Sequence, residues 1–368
     1  MIYLDNAATS FPKPHRVISA LNECLRAYCG NPGRSSHRLS LRAAEKIYEV
    51  RELVSDFIGG ESPESVVFTP NATHSLNLAI KTYISGPCHV LCSDIEHNSV
   101  IRPLEKLGRT LGVEYSRFDS KSPRESIKSL IRPDTVGIIS TVASNVAGIQ
   151  IDAAELSVLA KENNLFLILD ASQALGHLNV NLKATPCDVL CGPGHKGLFG
   201  IQGSGFAYFK DTVRKESYIE GGSGSESINV NMPTRLPEAY EAGTLSTPAI
   251  VSLGEGIKYL SEIGLDKVKE RLDYLSYILS ERLLRLPEIS LLPAGNGIVS
   301  FTHKSYPSSY IVGELDKYGV CARGGLHCAP DAHKKLGTID GGAVRLSFSY
   351  LNGERDILGA LAAISRII

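Results

Sequence analysis

The sequence predicts an α/β fold: a large, mostly parallel sheet sandwiched by helices, followed by a smaller α+β C-terminal domain. Three observations predict it. Short runs such as VGIIST (136–141), LFLILD (165–170) and DVLC (188–191) are continuously apolar, as strands buried on both faces are. Between Val66 and Phe209 such runs alternate with helix-like segments, the pattern of strand–helix–strand units around a parallel sheet. After Pro248 the pattern changes to two helices and then short strands, which places a boundary near residue 245.

Taken in order, a short strand, IYLD, leads into Asn6–Thr9 and Pro12-Lys13-Pro14, a rigid extended arm over residues 1–14. The arm is expected to pack with the small domain and the active site. A helix follows over about 14–28, then a glycine- and serine-rich loop, CGNPGRSSHRLS (29–40). The helix 41–58 has apolar residues at helical spacing and stops at Gly59-Gly60. The alternating region then reads VVF (66–68), helix from Ala72, HVLC (89–92), helix from Asn98, VEYSRF (113–118), helix 123–131, VGIIST, helix 152–162, LFLILD, DVLC and GSGFAYF (203–209). These elements make up a large domain, 15–245. Its last stretch, Glu220 to Gly243, holds GGSGSES and two prolines and reads as a loop or hairpin over the active site or a neighbouring subunit. The small domain, 246–368, reads as helices 250–262 and 266–285, strands 297–302, 319–323 and 343–348, and helices 308–317 and 353–367.

Composition excludes several function classes. Charged residues are 21%, hydrophobic ones 43%, and the net charge is −1. Such a balance gives no pull toward nucleic acid or an acidic membrane. No run of roughly 18 apolar residues occurs, so no membrane span is expected. The opening MIYLDNAATS lacks the charged and apolar regions of a signal peptide, so a cytoplasmic location is expected. The eight cysteines are then expected as reduced thiols. With no CxxC, and with Cys88/Cys92 and Cys187/Cys191 inside apolar runs, burial accounts for most of them and no metal site is expected.

The chemistry gathers where apolar strands end. LFLILD ends in Asp170, and the run DVLCGPG leads to His195 and Lys196. In open α/β sheets catalytic groups sit at the carboxyl ends of strands. A buried lysine loses charge easily, and a buried aspartate needs a cation. Pyridoxal phosphate meets both needs, its aldehyde taking the lysine and its pyridinium nitrogen the aspartate. The ordinary alternative is a structural ion pair. FTPNATHS (68–75), a strand–turn–helix entry, is an anion site or, equally, a helix capped by Asn71 or Thr73. His97, just past another strand end, is placed to stack on a flat cofactor and move protons, with helix capping the alternative. Asn145 and Gln173 follow further strand ends. Thr73, His97, Asn145, Asp170 and Lys196 thus share one sheet edge.

In the small domain, RGGLHCAP (323–330) carries Cys328 in a glycine-rich loop that is expected to be accessible and mobile. Arg323 and His327 favour a thiolate there if they approach it. Arg345, on the apolar strand AVRLSFSY, calls for a carboxylate partner, either a protein side chain or an amino-acid substrate.

Over essentially its full length the chain resembles a cysteine desulfurase of the pyridoxal-phosphate-dependent class V aminotransferase superfamily. The resemblance is carried by YLDNAAT (3–9), FTPNATHSLN (68–77), EHNS (96–99), SNVAG (144–148), ILDASQ (168–173), GHK (194–196), EAGT (241–244), HCAP (327–330) and VRLSFSYLN (344–352). The short loop before the cysteine is similar to that of Suf-type (group II) enzymes. The resemblance implies the PLP-dependent transferase fold of type I and a homodimer acting on L-cysteine. It further implies that Lys196 binds the cofactor covalently, that Asp170 pairs with its ring nitrogen and Gln173 with its phenolic oxygen, and that His97 stacks on the ring. Thr73, His195 and, from a second subunit, Thr244 would hold the phosphate, and Ala72 would also bind the cofactor. Asn6, Asn145, Arg323 and Arg345 would hold the substrate, and Cys328 would take its sulfur as a persulfide for an acceptor protein, such as one of iron–sulfur cluster assembly.

Some residues depart from that pattern. His74 stands where an acidic residue is usual, Pro193 where Suf-type enzymes tend to have a serine, and Gly325 and Leu326 where their loop is polar. Three other readings stay open: a selenocysteine lyase with the same residues, an aminotransferase or C–S lyase that does not use Cys328, and a non-enzymatic scaffold.

Overall fold

The computed structural model describes residues 1–34, 37–210, 219–225 and 228–368. In chain order the elements are β1 (Ile2–Tyr3), α1 (His15–Ala27), α2 (Arg38–Ile58), β2 (Val66–Thr69), α3 (Ala72–Tyr83), β3 (His89–Ser93), α4 (Asn98–Leu111), β4 (Glu114–Phe118), α5 (Pro123–Leu130) and β5 (Thr135–Thr141). Then come α6 (Ala153–Glu162), β6 (Phe166–Asp170), β7 (Val189–Pro193), β8 (Gly205–Phe209), α7 (Thr247–Ile263), α8 (Leu265–Leu283), β9 (Ile289–Leu291) and β10 (Ile298–His303). The chain closes with α9 (Ser308–Lys317), β11 (Val320–Cys321), β12 (Arg323–Gly325), α10 (Pro330–Lys335), β13 (Ala343–Ser347) and α11 (Glu354–Ile367).

Seven strands form the large sheet in the order β2-β8-β7-β6-β5-β3-β4. Only β8 runs against its neighbours. The other six therefore end at the same edge, where the polar residues of the sequence motifs collect. Successive side chains of a strand face opposite sides, and both sides are filled. Leu167, Leu169 and Leu190 pack into one core with α2 and α7, while Ile168, Val189 and Cys191 pack into the other with α3 and α4. That is why these strands read as unbroken apolar runs, whereas the edge strand β4 is buried only at Phe118.

A second sheet of four strands runs β12-β13-β10-β9. The segment expected as a single strand over 319–323 divides: β11 pairs in parallel with β1, and β12 joins β13. Through β1, and through a bridge from Asp5 to Ser347, the N-terminal arm is sewn to the C-terminal sheet. Helix α7, just past the expected boundary near 245, packs on both α1 and α2.

Helix α2 starts at Arg38, before the expected Leu41, because the His37 ring accepts the Ser40 amide. Two elements had no sequence signature, β9 and α10. A three-residue edge strand and a six-residue helix are too short to show a period. In the region 220–243 the residues described form turns without strand or helix; residues 226–227 lie outside the described residues. Among the described residues no helix is long and apolar enough to cross a membrane.

Candidate active site

The C-terminal edge of the large sheet opens into a cleft. Ala72, Thr73, His97, Asn145, Asp170, Gln173, His195 and Lys196 all line it.

Asp170 is the last residue of β6 and is 3% exposed. Its Oδ1 accepts the Ser172 amide at 2.9 Å, the one donor that reaches the carboxylate among the described residues. Lys196 follows β7, the neighbouring strand, and burial pushes its ammonium down to about 8, partly offset by the Asp170 charge. The amine thus gains or loses a proton close to neutral pH, as a nucleophile or base must. Its loop is held tightly: a Cβ at Gly197 would collide with the Leu175 carbonyl. On the other side Thr9, Ser10 and Lys13 of the arm all donate to the His195 carbonyl.

His97 caps α4. Its Nδ1 accepts the Ser99 amide at 3.1 Å, which leaves the proton of the neutral ring on Nε2. Burial, then the Lys196 charge, lowers its pKa to about 4, so the ring is neutral at pH 7. Capping and a place on the cleft wall, alternatives in the sequence, coexist here. The same holds at α3. Asn71 caps it by accepting the His74 amide at 3.0 Å, which frees the Thr73 hydroxyl to meet Ser99 Oγ at 2.8 Å. A helix N-terminus with two hydroxyls beside it suits an anion. Nearby, His195 is pushed down to about 4, and its buried Nδ1 has no partner among the described residues. His74 is half-buried and shifted down by burial and then by Lys81, so it adds no charge at neutral pH.

The Cys328 loop is exposed at its thiol but anchored on both sides. The Cys328 carbonyl accepts the Asn98 amide at 2.7 Å, and the His327 carbonyl accepts Asn145 Nδ2 at 2.6 Å. Behind it, α10 is bolted to the large sheet by Asp331 to Arg117 at 2.8 Å and by Lys335 between Asp94 and Asp119. The loop expected to be mobile is therefore fixed at the rim of the cleft. Neither expected cation stands beside the thiol as a free charge. His327 is pushed down to about 3 by burial and then by Arg345, and Arg323 turns to Asp5 at 3.5 Å.

Arg345 is 2% exposed, and Asp5 is the protein carboxylate it calls for, at 2.7 Å from Nη2. Its Nη1 donates to the Asn145 carbonyl at 2.8 Å, while Nε has no partner among the described residues. Asn6 spends its side chain joining the arm to the C-terminal part of the chain, donating to the Ser347 carbonyl and Asn352 Oδ1 and accepting the Phe11 amide. Gln173 Nε2 donates to the Ala7 carbonyl at 3.0 Å. Thr244 lines a different, larger cleft with Arg51 and Glu241 and is exposed.

Sequence reasoning passed over three residues that shape this site. Asp5 holds both arginines. Glu96 has no exposed surface and ties the end of β3 to β5, accepting the Ser93 hydroxyl and, at 2.7 Å, the Thr141 amide. His333 contacts His327 from within the small unit. Asp5 and Glu96 lay inside quoted motifs, but an acidic residue at a strand end has no pattern that separates lining from support.

Residues 2–358 match the pattern of the class-V aminotransferase family. A probable cysteine desulfurase of Pyrococcus abyssi is 30% identical over 100% of this chain and 94% of its own. A cysteine desulfurase of Escherichia coli O127:H6 is 30% identical over 89% of this chain and 84% of its own. Among solved structures, the apo cysteine desulfurase of Thermococcus onnurineus superposes with a TM-score of 0.91 at 29% identity, covering 100% of this chain and 94% of that one.

Proposed function

The chain belongs to the class-V aminotransferase family, and we propose that it is a cysteine desulfurase that moves sulfur from L-cysteine to Cys328 and releases L-alanine. The observation that carries this reading is a convergence. Lys196 and Asp170 come from adjacent strand ends into one cleft, and the Cys328 loop is hydrogen-bonded to Asn145 of its wall and to Asn98, which stands between the wall residues His97 and Ser99.

Three features support pyridoxal 5′-phosphate as the cofactor. At one end the α3 N-terminus, Thr73 and the unpartnered His195 Nδ1 suit a phosphate. The Asp170 carboxylate, with one amide donor, suits a protonated ring nitrogen. Lys196, brought to about 8, suits an aldehyde. When bound, the cofactor supplies an electron-accepting ring that stabilises negative charge at the substrate α-carbon. Asp170 would keep the ring nitrogen protonated, and Gln173 would face the phenolic oxygen. His97, neutral, would pack over the ring. Lys196 Nζ would take the α-proton and later return one. Arg345 and Asn145 would hold the substrate carboxylate, with Asp5 keeping the guanidinium in place.

The Cys328 thiolate attacks the substrate sulfur. An S–S bond forms, the Cβ–S bond breaks, and its electron pair passes to the substrate carbons, which are protonated to alanine. A thiol is too weak a nucleophile, so the proton must leave first. Neither His327 nor Arg323 offers that thiolate a free charge, so a base at the cleft would receive the proton; His97, at about 4 and with its Nδ1 taken by the Ser99 amide, is not matched to that step.

Thr244 lies outside this cleft, so its expected place at a phosphate is at that of a second copy, which supports a homodimer. The persulfide would pass to an acceptor protein, such as one of iron–sulfur cluster assembly.

Purified protein is given L-cysteine and L-selenocysteine separately, with and without reductant, and alanine, sulfide and selenide are measured. Cys328→Ala should abolish alanine formation from L-cysteine while the cofactor absorbance persists. Unchanged turnover in that variant sinks the persulfide route in favour of a simple C–S lyase. Activity confined to L-selenocysteine reassigns the enzyme as a selenocysteine lyase.

A further inference from the structure

Behind the cysteine loop lies a histidine pair that the reaction as described does not use. His327 Nδ1 and His333 Nε2 are 3.1 Å apart, and the two rings are parallel within 16° at a centroid distance of 5.3 Å. His333 Nδ1 lies 2.7 Å from Thr338 Oγ1, and His327 Nε2 lies 3.4 Å from the Arg323 carbonyl. His333 is completely buried and His327 nearly so.

A neutral imidazole has one N–H and one acceptor nitrogen. Only one direction then satisfies every contact. The Thr338 hydroxyl donates to His333 Nδ1, His333 Nε2–H donates to His327 Nδ1, and His327 Nε2–H donates to the Arg323 carbonyl. The reverse order would point a nitrogen lone pair at that carbonyl. Burial lowers the pKa of both rings, in keeping with neutral tautomers.

The backbone supplies an independent observation. His327 and Cys328 are consecutive left-handed residues, φ 51° and 56°, and neither is a glycine. Residues with a Cβ enter that region only at a cost. Something must hold the turn. The Asn145 and Asn98 donors fix its two carbonyls, and the relay fixes the one side chain of the turn that points into the protein.

We propose that His333, seated on Thr338, is a positioning residue for Cys328: through His327 it fixes the left-handed turn that presents the thiol to the cleft. The inference rests on Cys328 as the sulfur acceptor. It is separable from that reading, because the reach of the thiol can be measured without any sulfur chemistry.

The test uses the cofactor-loaded enzyme and three variants. His333→Phe removes the relay. Thr338→Val removes its outer donor at nearly constant volume. His333→Gln keeps an amide donor toward His327. Persulfide formation is followed in a single turnover, L-cysteine binding by the cofactor spectrum, and the thiol by its alkylation rate with iodoacetamide in the absence of L-cysteine. In His333→Phe, kcat and single-turnover persulfide formation should fall by roughly 10- to 100-fold, the loss expected from a nucleophile displaced by about 1 Å. KM and the L-cysteine spectrum should be nearly unchanged, the alkylation rate should shift, and His333→Gln should recover much of the loss. A purely structural histidine would lower the melting temperature and leave the KM-to-kcat split alone. Parent-like persulfide and alkylation rates in both His333→Phe and Thr338→Val overturn the proposal. If His333→Phe does not fold, Thr338→Val and His333→Gln decide by the same readouts. An altered alkylation rate in a protein whose parent forms no persulfide upholds the positioning role and removes the desulfurase reading instead.

Discussion

Lys196, Glu96 and His97 show how one environment sets three proton states around the charge of Asp170. Burial favours the neutral form of each. It brings the lysine down to about 8, the imidazole down to about 4, and the Glu96 carboxyl up to about 8. For Glu96, the Ser93 hydroxyl and the Thr141 amide work against burial, and the nearby Asp170 charge works with it. The proton that results belongs on Oε2, which accepts no hydrogen bond from the described residues, whereas Oε1 accepts two. A free glutamate ionises near 4.3, so over the window from about 4.3 to about 8 the unfolded chain has lost a proton that the folded protein keeps. Stability is therefore complete below that window and declines as pH rises through it. Glu96→Gln has no proton to lose, so thermal melts between pH 5 and 9 should decline less steeply than in the parent. Parallel curves would show that Glu96 is ionised in the folded state.

Helix α2 and the stretch Glu241–Thr244 are joined by the most enclosed ion pair described in the protein. Arg51 donates to Glu241 at 2.8 and 2.9 Å, and Glu241 also accepts the Phe68 amide at 2.7 Å. Both side chains are less than a tenth exposed, and burial still raises the Glu241 carboxyl despite its partner. The pair fixes the segment that carries Thr244 to β2, the strand that leads into α3. Removing one member of such a pair strands the other, at a cost of about 3–5 kcal/mol. An exposed pair such as Lys269–Asp273 on α8 contributes only about 0–1 kcal/mol. Urea denaturation should therefore show a large fall in the midpoint for Glu241→Ala and almost none for Lys269→Ala. Equal losses would mean that the pair is not enclosed in solution.

At the scale of the molecule, the N-terminal arm and the C-terminal sheet close the site together. Asp5 reaches Arg345 and Arg323, Asn6 reaches Ser347 and Asn352, and Thr9, Ser10 and Lys13 reach the His195 carbonyl. The exposed Thr244, by contrast, lies outside that cleft and lines a second one. The homodimer proposed above would bring that hydroxyl to the phosphate end of a second copy's site. Light scattering should give twice the chain mass at assay concentrations, and Thr244→Val should weaken cofactor retention without changing that mass. A fully active monomer would remove this role for Thr244.

What the sequence determined by itself is the sheet and the chemical edge of it. Buried parallel strands have no polar face, so VGIIST, LFLILD and DVLC announce themselves, and their carboxyl ends locate Asn145, Asp170 and Lys196. The motifs around Thr73, His97 and Cys328 were legible in the same way, as residue types at element ends. Tertiary structure alone decided how those groups are held. Asp5 and Arg345 are 340 residues apart in the chain, Asn145 and His327 are 182 apart, and Lys335 reaches back to Asp94 across 241. Local periodicity carries no record of such pairs, because hydrogen bonds and ion pairs depend on distance in space. For the same reason the cysteine loop, glycine-rich and mobile by its sequence, is fixed by contacts to Asn98, Asn145 and the large sheet.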